Sequence, residues 1–161
     1  MNSSKSRSAW EKGRWPLLCS FVCLIFWLLS GLGTGGSFIS WYSQLSKPAG
    51  TPPGWVFGPV WAVLYVVMGI AWGRLIDQKA WLAVGLFGFQ FLMNLLWTPM
   101  FFGAHLIGVA LGVVCTLWVG LLLTLLLARK SDRLSAWLLA PYLAWVTFAI
   151  YLNAGIFWLN R

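Results

Sequence analysis

Thirteen tryptophans stand in this 161-residue sequence against three acids, one histidine and three cysteines, so the chemistry open to it is that of indole rather than of proton transfer. The acids Glu11, Asp77 and Asp132 all fall among basic residues between apolar stretches. Proton-coupled transport within a membrane ordinarily needs an intramembrane carboxylate or a histidine relay. His105 sits in a short turn, where it could reach a haem iron as an axial ligand but is expected in solvent. Cys19 and Cys23 lie one helical turn apart, with Cys115 alone further on. They lack the four-ligand set of a structural metal site, so no metal is expected and the thiols read as small apolar filler.

The elements that must position the indoles follow from the charges. No residue is ionised between Arg14 and Lys47, Lys47 and Arg74, Lys79 and Arg129, or Arg133 and Arg161. Water demands no such gaps. A bilayer does, because a charge at mid-membrane costs roughly 2.5–3.5 kcal/mol on insertion scales. The chain is 60% hydrophobic, above the roughly 45–50% of soluble domains. As one helix, the stretch 80–128 would run about 73 Å, so it must fold back, at Pro99 and Gly103-Ala104-His105. The reading is an all-α membrane protein, a five-transmembrane-helix bundle with spans near 16–38, 56–75, 81–102, 106–128 and 134–159. Residues 1–15 precede this single domain as a basic segment. No ten-residue alternating segments point to a β-barrel.

Five spans put the chain ends on opposite sides. One side receives Lys5, Arg7, Lys12, Arg14, Arg74, Lys79, Arg129, Lys130 and Arg133, the other only Lys47 and Arg161. This positive-inside bias places the N-terminus in the cytoplasm and makes a bacterial inner membrane the expected location. It also accounts for the net charge of +8 without nucleic acid, for which no span-free basic domain exists. The start has the layout of a secretory leader, but its apolar run continues to Ile39, long enough for a retained span.

Seven tryptophans (Trp10, Trp15, Trp41, Trp55, Trp81, Trp137 and Trp158) fall near span ends, where an interfacial belt explains them. Others have company at helical spacing. Phe57, Trp61 and Tyr65 share a face of the second span; Gln90, Asn94 and Trp97 share one of the third; Trp145, Ala149 and Asn153 share one of the fifth. The amides could be interhelical hydrogen-bond glue, about 0.6 kcal/mol each. Facing one another, these residues would instead line an aromatic cavity for a large, flat, apolar ligand. Pro48, Pro52 and Pro53 forbid helix in the loop 40–54, which could cover that cavity. The pairs Gly31/Gly35, Gly69/Gly73 and Gly108/Gly112, with Gly85 and Gly88, permit close helix approach, expected mostly within the monomer rather than in a dimer seam.

Three blocks make the sequence recognisable: Trp41-Tyr42-Ser43-Gln44-Leu45-Ser46-Lys47-Pro48 running on to Thr51-Pro52-Pro53-Gly54-Trp55-Val56-Phe57-Gly58-Pro59-Val60-Trp61 and Tyr65; Asn94-Leu95-Leu96-Trp97-Thr98-Pro99; and Pro141-Tyr142-Leu143-Ala144-Trp145 through Asn153. Over roughly residues 38–158 the chain resembles the translocator protein family, also called tryptophan-rich sensory protein, TspO or peripheral benzodiazepine receptor. The resemblance implies a five-helix homodimer binding protoporphyrin IX or haem, or drug-like apolar ligands, with no obligatory cofactor.

By motif, Trp61 and Trp145 correspond to tryptophans linked to light-dependent porphyrin breakdown. Tyr65, Asn94, Trp97 and Ala149 correspond to the pocket wall, with Trp41, Pro48, Pro52 and Pro53 in the lid. Two departures stand out. Ala49-Gly50 replaces a Ser-Trp pair common after Lys-Pro, and Ala154 and Trp158 replace the Tyr and Arg of a sterol motif, so sterol binding by that motif is not expected. The expected role is sensing or regulation of tetrapyrrole and oxidative stress. The rivals are a transporter, against which the missing internal repeat counts, and a scaffold without a specific ligand.

Overall fold

A computed structural model describes residues 9–34 and 37–161, with side chains described for 13–30 and 40–161. It contains α1 (Ala9–Thr34), α2 (Ser37–Gln44), α3 (Gly54–Asp77), α4 (Trp81–Thr98), a π-helical turn (Pro99–Gly103), α5 (Ile107–Ser131) and α6 (Arg133–Leu159). Among the described residues, five segments are long and apolar enough to cross a membrane: Gly13–Ser30 in α1, α3, α4 with its π turn, α5 and α6. The five-helix membrane bundle expected from the sequence is therefore the fold. Lys5, Arg7 and the Gly31/Gly35 pair lie outside the described residues, or outside those whose side chains are described.

The boundaries of the last four spans fall close to expectation, but the first part of the chain differs. The first helix covers 9–34 rather than 16–38, with Pro16 inside it. The loop expected over 40–54 is helical up to Gln44. Its prolines begin only at Pro48, and Ser37–Gln44 contains neither proline nor glycine, so nothing local forbids a short helix there.

α1 packs along α3, α3 against α6, α6 against α5 and α5 against α4, while α4 returns to touch α3 and α1. At the end bearing Arg14, Arg74 and Arg133 the helices come together on small residues. A Cβ added at Gly69 would collide with the backbone of Ser20, and one at Gly73 with the backbone of Trp15 and Pro16, so this pair is fixed by monomer packing. Gly108 is less constrained, a Cβ there meeting only the Phe157 ring at 3.0 Å, whereas Gly112, Gly85 and Gly88 meet nothing within 4 Å. Leu75, Ala83, Ala128 and Ala136 fill the rest of the closed end. Cys19 and Cys23 are buried on α1 as expected of filler; Cys115 is not, because its face of α5 points outward.

Among the described residues, an ion pair between Arg74 and Asp132 fastens this end. Arg74 donates to Asp132 through Nε at 2.7 Å and Nη2 at 3.0 Å. Asp132 also caps α6, accepting from the Ser135 amide at 3.3 Å and its hydroxyl at 2.6 Å. The Arg74 hydrogen bond is the main reason the Asp132 carboxyl titrates below its ordinary value of 3.8; burial opposes it and Ser135 reinforces it. A carboxylate depressed in the folded state stabilises fully above the unfolded value and loses that contribution as pH falls through the folded one. Asp132→Asn keeps a capping oxygen without the charge. Thermal melts in detergent should show it less stable than wild type at neutral pH, with the gap closing as pH drops below 3.8. A gap independent of pH would remove the ion pair from this role.

Candidate functional site

At the opposite end the helices splay. Between them lies a cavity of about 1090 Å³, slightly above the roughly 300–1,000 Å³ usual for small-molecule sites. Phe57, Trp61 and Tyr65 enter it from α3, Asn94 and Trp97 from α4, and Trp145, Ala149 and Asn153 from α6, so eight of the nine wall residues read from periodicity share one space. Trp61 lies against Tyr65 and Tyr142, with ring centroids 5.9 and 6.2 Å apart, and Trp145 against Phe57 at 5.9 Å. Both indoles face the interior rather than lipid.

The floor is a chain of hydrogen bonds. Tyr65 donates to Asn94 Oδ1 at 2.5 Å, Asn94 Nδ2 donates to the Tyr142 hydroxyl at 2.8 Å, and Tyr142 donates to Gln90 Oε1 at 3.1 Å. Gln90, the ninth wall residue, therefore lies beneath the cavity rather than in its lining: it is fully buried and its Nε2 meets no acceptor. A second link crosses the wall, with Trp97 Nε1 donating to Asn153 Oδ1 and Asn153 Nδ2 to the Ile107 carbonyl, both at 3.0 Å. Asn94 and Asn153 are thus glue and lining at once, while Gln90 is glue alone.

The lid is held on α6. Pro48 rests where a Cβ on Gly155 would sit, its Cγ only 2.6 Å from that point. Tyr151 donates to the Ala49 carbonyl at 2.9 Å, and Asn160 exchanges two 2.9 Å hydrogen bonds with the Ser46 backbone. Gly50 adopts a φ of 79°, in the left-handed region that favours glycine. Pro48, Pro52 and Pro53 line the cavity.

Trp41 does not. It stacks on His105, with centroids 4.0 Å apart and planes 12° from parallel, and packs edge-on to Phe101. That contact ties α2 to the α4–α5 turn, where His105 holds a φ of 57°. His105 is exposed and lies outside the cavity lining. Trp81, Trp137 and Trp158 are exposed at helix ends in the manner of a belt, while Trp55 stands at the cavity mouth, 76% exposed.

Sequence reasoning missed Tyr142, the joint of the floor, although it precedes Trp145 by three residues on the same face. It also missed the contributions of Trp27, Tyr42, Phe101 and Phe148 to the walls. Tyr142→Phe would leave Asn94 Nδ2 without its acceptor and Gln90 Oε1 without its donor, in a fully buried site. Such loss costs about 1–3 kcal/mol. The variant should melt earlier than wild type in detergent; equal melting would mean that the chain is not what holds the floor.

The sequence profile of the TspO/MBR family matches residues 19–159. The tryptophan-rich protein TspO of Chlorobaculum tepidum is 36% identical over 148 residues, which cover 89% of this chain and 94% of that protein. The human translocator protein is 39% identical over 124 residues, covering 73% of each chain. The tryptophan-rich sensory protein of Cereibacter sphaeroides is 36% identical over 121 residues, covering 74% of this chain and 77% of that one. The matched stretch includes the lid, the hydrogen-bonded floor and both cavity indoles, and the chain is a multi-pass membrane protein belonging to the TspO/MBR family.

Proposed function

We propose that this protein binds a tetrapyrrole, protoporphyrin IX or haem, in the cavity between α3, α4 and α6, and acts as a sensor or regulator of tetrapyrrole and oxidative stress. The observation that carries the reading is the convergence of eight residues from three helices on one large, aromatic, mostly apolar space. Flat aromatic walls stack on a macrocycle and need no ionisable group. The amides and phenol of the floor bond to one another and to α6, so the deep end presents little unmet polarity to a hydrocarbon ring. Titrating the purified protein with protoporphyrin IX should quench tryptophan emission saturably, with one site per chain. A linear, unsaturable response would contradict the reading.

Light adds chemistry to binding. A photoexcited porphyrin in face contact with an indole can take one electron from it, giving an indole radical cation and a porphyrin radical anion. The anion passes its electron to dioxygen, forming superoxide, and the indole radical cation takes an electron back from the macrocycle, leaving an oxidised porphyrin open to attack by oxygen. Among the indoles that line the cavity, Trp61 on α3 and Trp145 on α6 are the proposed photochemical partners. Replacing both with Phe should keep affinity within a few-fold and slow light-dependent bleaching of bound protoporphyrin at least ~10-fold, given that flat faces survive but the oxidisable ring does not. Bleaching at the wild-type rate would exclude these residues from the photochemistry.

The protein acts as a homodimer in a bacterial inner membrane, with its basic end in the cytoplasm. The outward face of α4, where Gly85 and Gly88 meet no other part of the protomer, supports a seam of close helix approach. Gly85→Leu should leave the monomer folded and shift the detergent-solubilised protein towards monomer. An unchanged oligomer would exclude α4 at this position.

A further inference from the structure

We infer that Lys47 makes the cavity selective for ligands bearing a carboxylate, and that it orients them with the acid group at the lid and the apolar body against the floor. The inference rests on the proposal that the cavity holds a flat macrocycle. Among the described residues that line the cavity, Lys47 is the one charged side chain. It is half-buried at the lid, 4.8 Å above the Tyr42 ring, and its ammonium donates to the carbonyls of Ser43 at 3.3 Å and Leu45 at 3.2 Å. Both bonds are at the long end of the hydrogen-bond range, and an ammonium carries three protons.

The neighbours sharpen the contrast. Ser43 gives its hydroxyl proton to the Ser40 carbonyl at 2.7 Å, and Thr51 gives its own to the Pro48 carbonyl at 2.7 Å. Both hydroxyls line the cavity and keep only lone pairs for a ligand. At the floor, Tyr65 donates to Asn94, Asn94 to Tyr142 and Trp97 to Asn153. A carboxylate pushed towards the floor would lose its hydration and meet donors already committed elsewhere, which is costly. At the lid it would meet a cation near the open mouth, where its second oxygen can stay hydrated. Charge-assisted hydrogen bonds of this kind are among the stronger ones. The cavity therefore has a polarity: anionic groups outward, hydrocarbon inward.

The test compares protoporphyrin IX with its dimethyl ester, which has the same macrocycle and no acid group, by tryptophan quenching of the full chain. Wild type should bind the acid roughly 10-fold or more tightly than the ester, the scale expected of one charge-assisted hydrogen bond. Lys47→Gln should weaken the acid to the level of the ester and leave the ester unchanged, and Lys47→Arg should restore the preference. Equal affinity of wild type for the two would overturn the inference while leaving the porphyrin site standing. So would a preference that survives in Lys47→Gln, or an equal loss of both ligands, which would reduce Lys47 to a cap on the end of α2. Failure of both ligands to bind wild type would overturn the porphyrin proposal, and this inference with it.

Discussion

In lipid, a polar side chain that finds no partner inside the protein finds none at all, and the hydrogen-bonded chain from Tyr65 through Asn94 and Tyr142 to Gln90 answers that constraint at mid-bundle. It joins α3, α4 and α6 at one level. Below it, Gly69, Gly73, Ala83, Ala128 and Ala136 let backbones approach closely, and the Arg74–Asp132 pair closes the end. Above it, the same three helices carry Phe57, Trp61, Trp97 and Trp145, which are too large for close approach. The bundle is consequently tight at one end and open at the other. The cavity follows from where small and large residues fall along the helices.

A cavity open at its end needs a cover, and here the cover is fastened to one wall. Pro48 occupies the space left by Gly155, Tyr151 holds Ala49, and Asn160 pairs with Ser46, so the lid's fixed points are all on α6. On the other flank, α2 rests its Trp41 on His105 and Phe101. At Ala49-Gly50 the lid carries no aromatic, and Gly50 holds a left-handed backbone. Aromatic mass at the mouth comes instead from Tyr42 and Trp55.

Much of this was legible in the sequence because the bilayer imposes strong rules. Charge-free stretches between basic clusters marked the spans, and a 3.6-residue period put Phe57, Trp61 and Tyr65 on one face and Trp145, Ala149 and Asn153 on another. What escaped depends on tertiary context. α2 is eight residues long, too short to announce itself, and is stabilised by packing on Phe101 and the α4–α5 turn rather than by propensity. Gln90 shares the face of Asn94 and Trp97, yet one turn of helix carries it out of the cavity lining and into the floor beneath, a difference of depth that periodicity does not encode. Tyr142 has the right spacing to Trp145, but only the fold shows its hydroxyl between two amides. Trp41 was read as belt and lid because it ends a span; its stacking on a histidine sixty-odd residues away belongs to topology alone.

The proposed ligand would occupy the space beside the Trp145 face. Ala149 lines that space with the smallest side chain of the α6 wall, so Ala149→Phe would fill it without touching the hydrogen-bonded floor or the lid contacts. Saturation of tryptophan quenching by protoporphyrin IX, measured on this variant beside its thermal melt, is the most direct measurement. The structure predicts a folded bundle with wild-type melting and affinity at least ~10-fold weaker, as expected when a ligand's own volume is taken. Wild-type affinity in a variant that melts normally would contradict it, and would move the ligand out of the bundle altogether.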